Sequence, residues 1–89
     1  MKEYKIDIEI HQVGNHKKND YRLFVSGSLI LERPWNLPGG YSHQVVHLTC
    51  NLNKGENRVR IENLGGHLRL GKIDIDDREI EHNDGQFIL

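Results

Sequence analysis

Cysteine and proline are scarce in this chain, and it has no long apolar run. Cys50 is the single cysteine among 89 residues, so an internal disulfide is excluded and packing must stabilise the fold. This usage leaves both a cytoplasmic and a secreted location open. The lack of an apolar run excludes a membrane-spanning helix. The alternating start MKEYKIDIEI also lacks the uninterrupted apolar stretch of a signal peptide, so we expect no export signal.

Charge of either sign is not in excess. The 12 Lys and Arg residues are balanced by 13 Asp and Glu residues, with both signs mixed along most of the chain. Such mixing builds no one-sided field, so we expect neither nucleic acid nor membrane as a partner. A composition of 36% hydrophobic and 28% charged residues is typical of an ordinary folded domain. At this length we expect one domain, residues 1–89, with a small core.

Alternation of apolar and polar residues is abundant, and it predicts β-strands. Apolar side chains occupy every second position from Tyr4 to Ile10, with charged residues between them. Val59 and Ile61 alternate with three charges, and Ile73 and Ile75 alternate with Lys and Asp. This period of two is the pattern of antiparallel strands with one buried face and one hydrated face.

Turn signals divide the rest of the chain into further short strands. We expect a hairpin turn at Ser26-Gly27, and a last hairpin around Asn83-Asp84-Gly85. Polar and breaker residues predict loops over 14–20 and 34–42. On the predicted strand 44–51, either the face of Val46, Leu48 and Cys50 or the opposite face can point inward. The remaining predicted strands are 21–25, 28–31, 79–81 and 86–89.

No segment has a helical period, so the chain is predicted to be all-β. Six to eight short strands separated by turns favour a compact antiparallel β-sandwich or a barrel.

Four segments together resemble a known family: Tyr4–Ile10, Tyr21–Gly27, Leu52–Ile61, and Gly65-Gly66 followed by Ile73-Asp74-Ile75. Their order is a strand pair with a glycine turn, a loop, a strand entered through G-x-N-x-[IV], and a final strand containing Asp. It resembles the galactose-binding-like jelly roll of carbohydrate-binding modules appended to glycoside hydrolases. The resemblance implies a β-sandwich of jelly-roll type that binds glycans without catalysis.

Two departures bear on what this resemblance implies. Family members begin with additional strands that carry a structural calcium site, and this sequence has nothing before Tyr4 to supply them, so calcium is not implied. Many relatives place Trp and Asn after the glycine pair to grip sugar hydroxyls. Here His67-Leu68-Arg69 follows the glycines, so a sugar site would be remodelled or absent.

The proposed ligand-binding residues centre on the 34–42 loop. Sugars present flat C–H faces that stack on aromatic rings, and Trp35 and Tyr41 offer such rings. Asn36, His43, His67 and Arg69 are candidates to bind the hydroxyl groups. Two alternatives stay open for Trp35: it caps one end of a small core, or it is a hot spot for another protein.

Metal and catalytic motifs are missing from the sequence. His43 and His47 share a strand face but lie about 13 Å apart along it, so one ion cannot bridge them. Asp74, Asp76 and Asp77 suggest either a weak calcium site or solvated charge, and solvated charge is the preferred interpretation. No nucleophile elbow, zinc motif or phosphate-binding loop is present, so we expect no metal, no cofactor and no enzymatic activity. Cys50 is expected to pack as a small hydrophobic residue.

Binding of carbohydrate is therefore the first functional hypothesis. The main alternative is a protein-interaction domain, a small adaptor or inhibitor that uses the same loop or an exposed strand edge. The strands around Ile6 and Val59 are the predicted edges, and a homodimer that completes the sheet is one expected outcome. A structural domain of a larger enzyme or assembly is the third interpretation.

Overall fold

A computed structural model describes residues 2–12, 20–34, 43–65 and 67–89 of the chain, and their regular structure is entirely β. This confirms the predicted all-β class and the predicted number of strands. The strands are β1 (Lys2–Gln12), β2 (Tyr21–Val25), β3 (Ser28–Arg33), β4 (His43–Leu52), β5 (Glu56–Asn63), β6 (Leu68–Ile75), β7 (Arg78–Ile80) and β8 (Gln86–Ile88). In these ranges no helix is long and apolar enough to cross a membrane.

The strands form two antiparallel sheets that pack as a β-sandwich. One sheet has the order β4-β1-β6-β7 and the other has the order β3-β2-β5-β8. The core lies between them, where the alternating residues of each strand point inward. Its buried hydrophobic members are Ile6, Ile8, Ile10, Tyr21, Leu23, Val25, Val46, Leu52, Val59, Leu68, Ile73, Ile75 and Phe87.

The face of β4 that the sequence left open is settled by its register with β1. Ile8 pairs with Val46 and Ile6 with Leu48, so these β4 residues lie on the core side beside the buried isoleucines. Cys50 follows the same alternation and is partly buried against the core. Burial raises the pKa of its thiol, which fits its predicted role as a small packing residue.

Two tight turns join neighbouring strands. Ser26-Gly27 links β2 to β3 as predicted, and both residues have positive φ, as a type I′ hairpin turn requires. Asp76-Asp77 links β6 to β7 in the same way, with φ of 49° and 68°. Aspartate tolerates this left-handed conformation better than most residues because its short carboxylate bonds locally. Asp76 Oδ1 accepts a hydrogen bond from the Lys5 backbone N–H at 3.0 Å.

The prediction of a last hairpin is wrong. A turn does form at Asp84-Gly85, with Asn83 bridged to Gln86, but the strands on either side of it belong to different sheets. β7 pairs with β6 because the Asp76-Asp77 turn folds it straight back onto its predecessor. β8 pairs with β5 instead and buries Phe87 in the core. Residues 81–85 therefore cross from one sheet to the other.

The predicted edge strands are also wrong. Ile6 lies on β1 and Val59 on β5, and both strands have neighbours on their two sides. Both side chains are fully buried. The alternating pattern therefore indicates which face of each strand points into the core, but it does not indicate whether the strand lies at the edge or the centre of its sheet. Among the described strands, β4, β7, β3 and β8 are at the edges of the two sheets.

Candidate functional site

A row of three polar side chains crosses the outer face of the β4-β1-β6 part of the first sheet. His11 on β1 lies directly opposite His43 on β4 and directly opposite Arg69 on β6. Side chains at opposite positions of antiparallel strands are close neighbours on one face. We call His43, His11 and Arg69 the histidine row.

The two imidazoles of the row are stacked. The ring centroids of His11 and His43 lie 5.6 Å apart, with an interplanar angle of 29°. His43 is exposed, while the side chain of His11 is only 18% exposed. The exposed His43 ring thus offers a flat surface, and its stacking on the more buried His11 ring holds it in place.

Glu9 supports His11 from the same strand. His11 Nε2–H donates to Glu9 Oε1 at 2.6 Å. The hydrogen bond from His11 lowers the pKa of Glu9, partial burial opposes this, and a hydrogen bond from the Lys72 backbone N–H lowers it further. The ionised carboxylate therefore fixes the orientation of the imidazole, and with it the row.

A glycine makes room for this pair. Between Ile8 and Ile10 the register of β1 against β6 shifts, which places Gly71 and Lys72 beside Glu9. A Cβ on Gly71 would lie 2.6 Å from His11 Nε2, and Glu9 Oε1 would be closer still. Any larger residue at this position has to displace the Glu9–His11 pair.

Next to the row, β6 and β7 border a shallow depression of about 610 Å³, which we call the β6–β7 depression. Its lining is mostly polar, with the Ile80 side chain as an apolar member. The lining residues are Gly71, Lys72, Glu79, Ile80, Glu81 and His82. Pockets for apolar small molecules are lined mainly by hydrophobic and aromatic groups, so this lining favours a hydrophilic ligand.

His82 connects the depression to the chain that crosses between the sheets. Gly85 N–H donates to His82 Nδ1 at 3.0 Å, so this nitrogen is the acceptor and Nε2 carries the proton. Nε2–H then donates to the Gly71 carbonyl at 2.7 Å. The neutral imidazole thereby fastens residues 81–85 to the irregular part of β6.

A second cavity, of about 370 Å³, lies between β5 of one sheet and β6 of the other. His67 and Arg69 both line it, together with Arg58 and Arg60. Among the described residues, the side chains of Arg58 and Arg69 form no ion pair. Arg60 lies over the Phe24 ring at 4.2 Å. Arg69, a member of the histidine row, thus also lines this cavity.

The predicted binding residues are only partly described. Trp35, Asn36 and Tyr41 lie outside the described residues, so their predicted roles stay predictions. His43 and Arg69 are brought into one row, with His11 between them. His67 lies two positions before Arg69 and lines the neighbouring cavity.

The sequence interpretation missed His11 and Glu9. Both stand at outward positions of the first strand, in the run Asp7-Ile8-Glu9-Ile10-His11. In the alternation they mark only the hydrated face of the strand, which assigns them no specific role. The signal that could have identified them is Gly71, a glycine inside a strand pattern, which often marks a bulge or a close approach.

The other polar candidates form separate pairs. His47 Nδ1–H donates to Asp7 Oδ1 at 2.7 Å, and the His47 side chain is 72% exposed. Asp77 pairs with Lys5 Nζ at 2.8 Å. In the described part of the chain, no three His, Cys, Asp or Glu residues are grouped so that they can hold a metal ion.

Comparison with known proteins gives no relatives to argue from. No protein-family model matches the chain, and no curated protein or solved structure matches it significantly. The class that the fold defines is an antiparallel β-sandwich, and any function has to be argued from the site itself.

Proposed function

We propose that this domain is a non-catalytic carbohydrate-binding module whose ligand lies across the histidine row and the β6–β7 depression. The observation that carries the proposal is the row itself, three hydrogen-bonding side chains aligned on one sheet face with a stacked imidazole pair at one end. The resemblance to galactose-binding-like jelly rolls supports the same ligand class.

The chemistry of the row suits sugars. A sugar presents hydroxyl groups that both donate and accept, and flat C–H faces that pack on rings. Arg69 supplies donors, Glu9 and Glu79 supply acceptors, and the exposed His43 ring supplies a stacking surface. The mixture of donors and acceptors is better matched to hydroxyl groups than to a ligand of a single charge.

The rigidity of the row also supports binding. Glu9 is held by His11 and by the Lys72 backbone, and both partners belong to paired strands of one sheet. A site held in its binding geometry before the ligand arrives loses less conformational entropy on binding. In the sequence, Tyr41 stands two positions before His43 of the row.

The test is a glycan array, followed by calorimetry with each glycan that binds. We expect His43→Ala and Arg69→Ala each to weaken binding at least tenfold. His47→Ala and Arg78→Ala are matched controls, because they remove an exposed histidine of the same strand and an exposed arginine of the same sheet. Circular dichroism checks that all four variants fold. A broad array without any binding contradicts the proposal and favours protein recognition.

A further inference from the structure

The four edge strands of the sandwich differ in how they are protected against pairing with another chain. β7 and β8 have three residues each. β3 ends in Glu32-Arg33, and Pro34 follows it. Short length, charge and proline are the usual ways in which proteins block an edge. Three of the four edges therefore carry a recognised protection.

β4 carries none of these protections. It is ten residues long, His43–Leu52, and contains no Lys, Arg, Asp, Glu, Pro or Gly. On one side it pairs with β1 along its length. On the other side, the described residues provide no strand that pairs with it. A long, neutral, unpaired edge of this kind is a template for another strand.

The hydrogen-bonding groups of this free edge can be assigned from the register. The backbone C=O of Lys5 points towards β6, because it accepts a hydrogen bond from the Asp76 N–H at 2.8 Å. Alternation then directs the backbone of Ile6 and Ile8 towards β4, where they meet Leu48 and Val46. The intervening β4 residues direct their N–H and C=O groups away from β1. These residues are His43, Val45, His47, Thr49 and Asn51.

Beside this edge lies a partly apolar opening into the sandwich. A cavity of about 270 Å³ separates β4 from β3; Val25, Ile30 and Cys50 are its apolar lining residues, and four Ser and Asn residues complete the lining. A strand added to β4 would direct every second side chain towards this opening. The edge thus offers backbone groups and an apolar contact together.

A second copy of β4 fits this edge. Antiparallel pairing centred on His47 aligns residues 43–51 and places all five outward-directed residues opposite one another, whereas a centre at Leu48 leaves His43 of each copy outside the pairing. It places Val45 opposite Thr49 and Val46 opposite Leu48, which are pairs of β-branched or apolar side chains favoured in sheets. A two-fold interface must be complementary to itself, and a strand without Lys, Arg, Asp or Glu meets that condition without opposing these charged side chains.

We propose that the chain forms a two-fold homodimer through antiparallel β4–β4 pairing centred on His47. The two four-stranded sheets then join into one sheet of eight strands, and the β3–β4 opening of each copy is covered by its partner. This interface does not rest on the carbohydrate proposal: His43 belongs to both, but the histidine row uses its side chain on the sheet face, and the interface uses its backbone groups at the edge.

The first test is the mass in solution, by sedimentation equilibrium over a range of concentrations. We expect twice the chain mass of 10.4 kDa at high concentration. In Val45→Lys/Thr49→Lys, lysines face each other across the interface, and we expect the monomer mass. Leu29→Lys is the control, since Leu29 is an apolar residue on the β3 edge and is 53% exposed. A wild-type mass of one chain at every concentration overturns the proposal, and so does equal dissociation by Leu29→Lys.

The second test checks the register and does not depend on the lysine variant folding. In His47→Cys/Cys50→Ser, the two new thiols lie opposite each other, within the usual Cα separation for a disulfide. We expect oxidised glutathione to cross-link the dimer, itself taking up the two electrons and two protons. In His43→Cys/Cys50→Ser, the thiols are eight positions apart, about 27 Å, and we expect no cross-link. Equal cross-linking of both variants, or none with His47→Cys/Cys50→Ser, contradicts this pairing.

Discussion

The imidazole of His11 on β1 lies between the His43 ring and the Glu9 carboxylate. The centroid of the His43 ring, on the neighbouring strand β4, is 5.6 Å from that of His11, and Glu9 Oε1, on the same strand, is 2.6 Å from His11 Nε2. This arrangement links the position of an exposed ring to the ionisation of a half-buried acid. The proposed sugar site therefore depends on groups behind it that a ligand need not touch.

Replacing Glu9 with Gln should weaken the fold at neutral pH and flatten its response to acid. The pKa of Glu9 is lowered in the folded protein from its ordinary value of 4.5, chiefly by the hydrogen bond from His11. Its ionised form therefore stabilises the fold above the unfolded pKa, and this contribution is lost as pH falls through the folded pKa. Urea unfolding at pH 7, 4.5 and 3 measures the effect.

Glu3→Gln is the control for this experiment, because it removes the same charge from an exposed position of the same strand. If Glu9→Gln loses stability with acid in parallel with the wild type, then Glu9 does not have the role assigned to it.

Replacing Gly71 with Ala should disturb the histidine row. The new Cβ would lie 2.6 Å from His11 Nε2, so the Glu9–His11 pair has to move. We expect a loss of about 1–2 kcal/mol in the free energy of unfolding, and a rise in the pKa of Glu9 measured by NMR titration. Lys72→Ala, at the next position, is the control. An unchanged Glu9 pKa in Gly71→Ala would show that the pair does not occupy this space.

Asn57 should prove a structural residue of the G-x-N-x-[IV] motif. Its buried carboxamide accepts from Asn53 N–H at 2.9 Å and donates to Asn53 O at 2.8 Å, and Ser26 Oγ–H donates to it at 2.9 Å. Asn57→Ala leaves several of these groups without partners, so we expect a loss of about 2–4 kcal/mol in urea unfolding.

Ser26→Ala removes one bond of the same network and should cost less than about 1.5 kcal/mol. Equal losses in the two variants would contradict the central position of Asn57.

Replacing His82 with Ala should loosen the segment that crosses between the sheets. The imidazole joins Gly85 N–H to the Gly71 carbonyl, and its removal leaves both groups without this partner. We expect the Gly85 amide to exchange its hydrogen faster, and stability to fall by about 1–3 kcal/mol. Glu81→Ala, an exposed neighbour, is the control. Unchanged exchange at Gly85 would show that the crossing segment is held by other contacts.

The sequence predicted the strands well because alternation reports local burial. Ile6, Ile8 and Ile10 had to share one face, and they are fully buried. Alternation says nothing about which strands are neighbours, so the positions of β1 and β5 at the centre of their sheets were not predicted. The pairing of β7 with β6 depends on the Asp76-Asp77 turn, which resembled a row of solvated carboxylates.

The candidate site was predicted in part for the same reason. His43 and Arg69 were chosen for their side-chain chemistry and their nearness to loop signals. His11 stands between them only because β1 separates β4 from β6, and that order comes from long-range pairing. Glu9 gained its role from a register shift opposite Gly71: a glycine inside a strand pattern signals a bulge, but it does not specify which residue of another strand lies beside it.

The most direct test of the central claim is the affinity of one array-selected glycan for His43→Ala and Arg69→Ala beside His47→Ala and Arg78→Ala. Calorimetry on the four folded variants gives the dissociation constants. The account predicts a loss of at least tenfold in the first two and wild-type affinity in the controls. Equal affinity in all four variants, or an equal loss in all four, would contradict a sugar site on the histidine row.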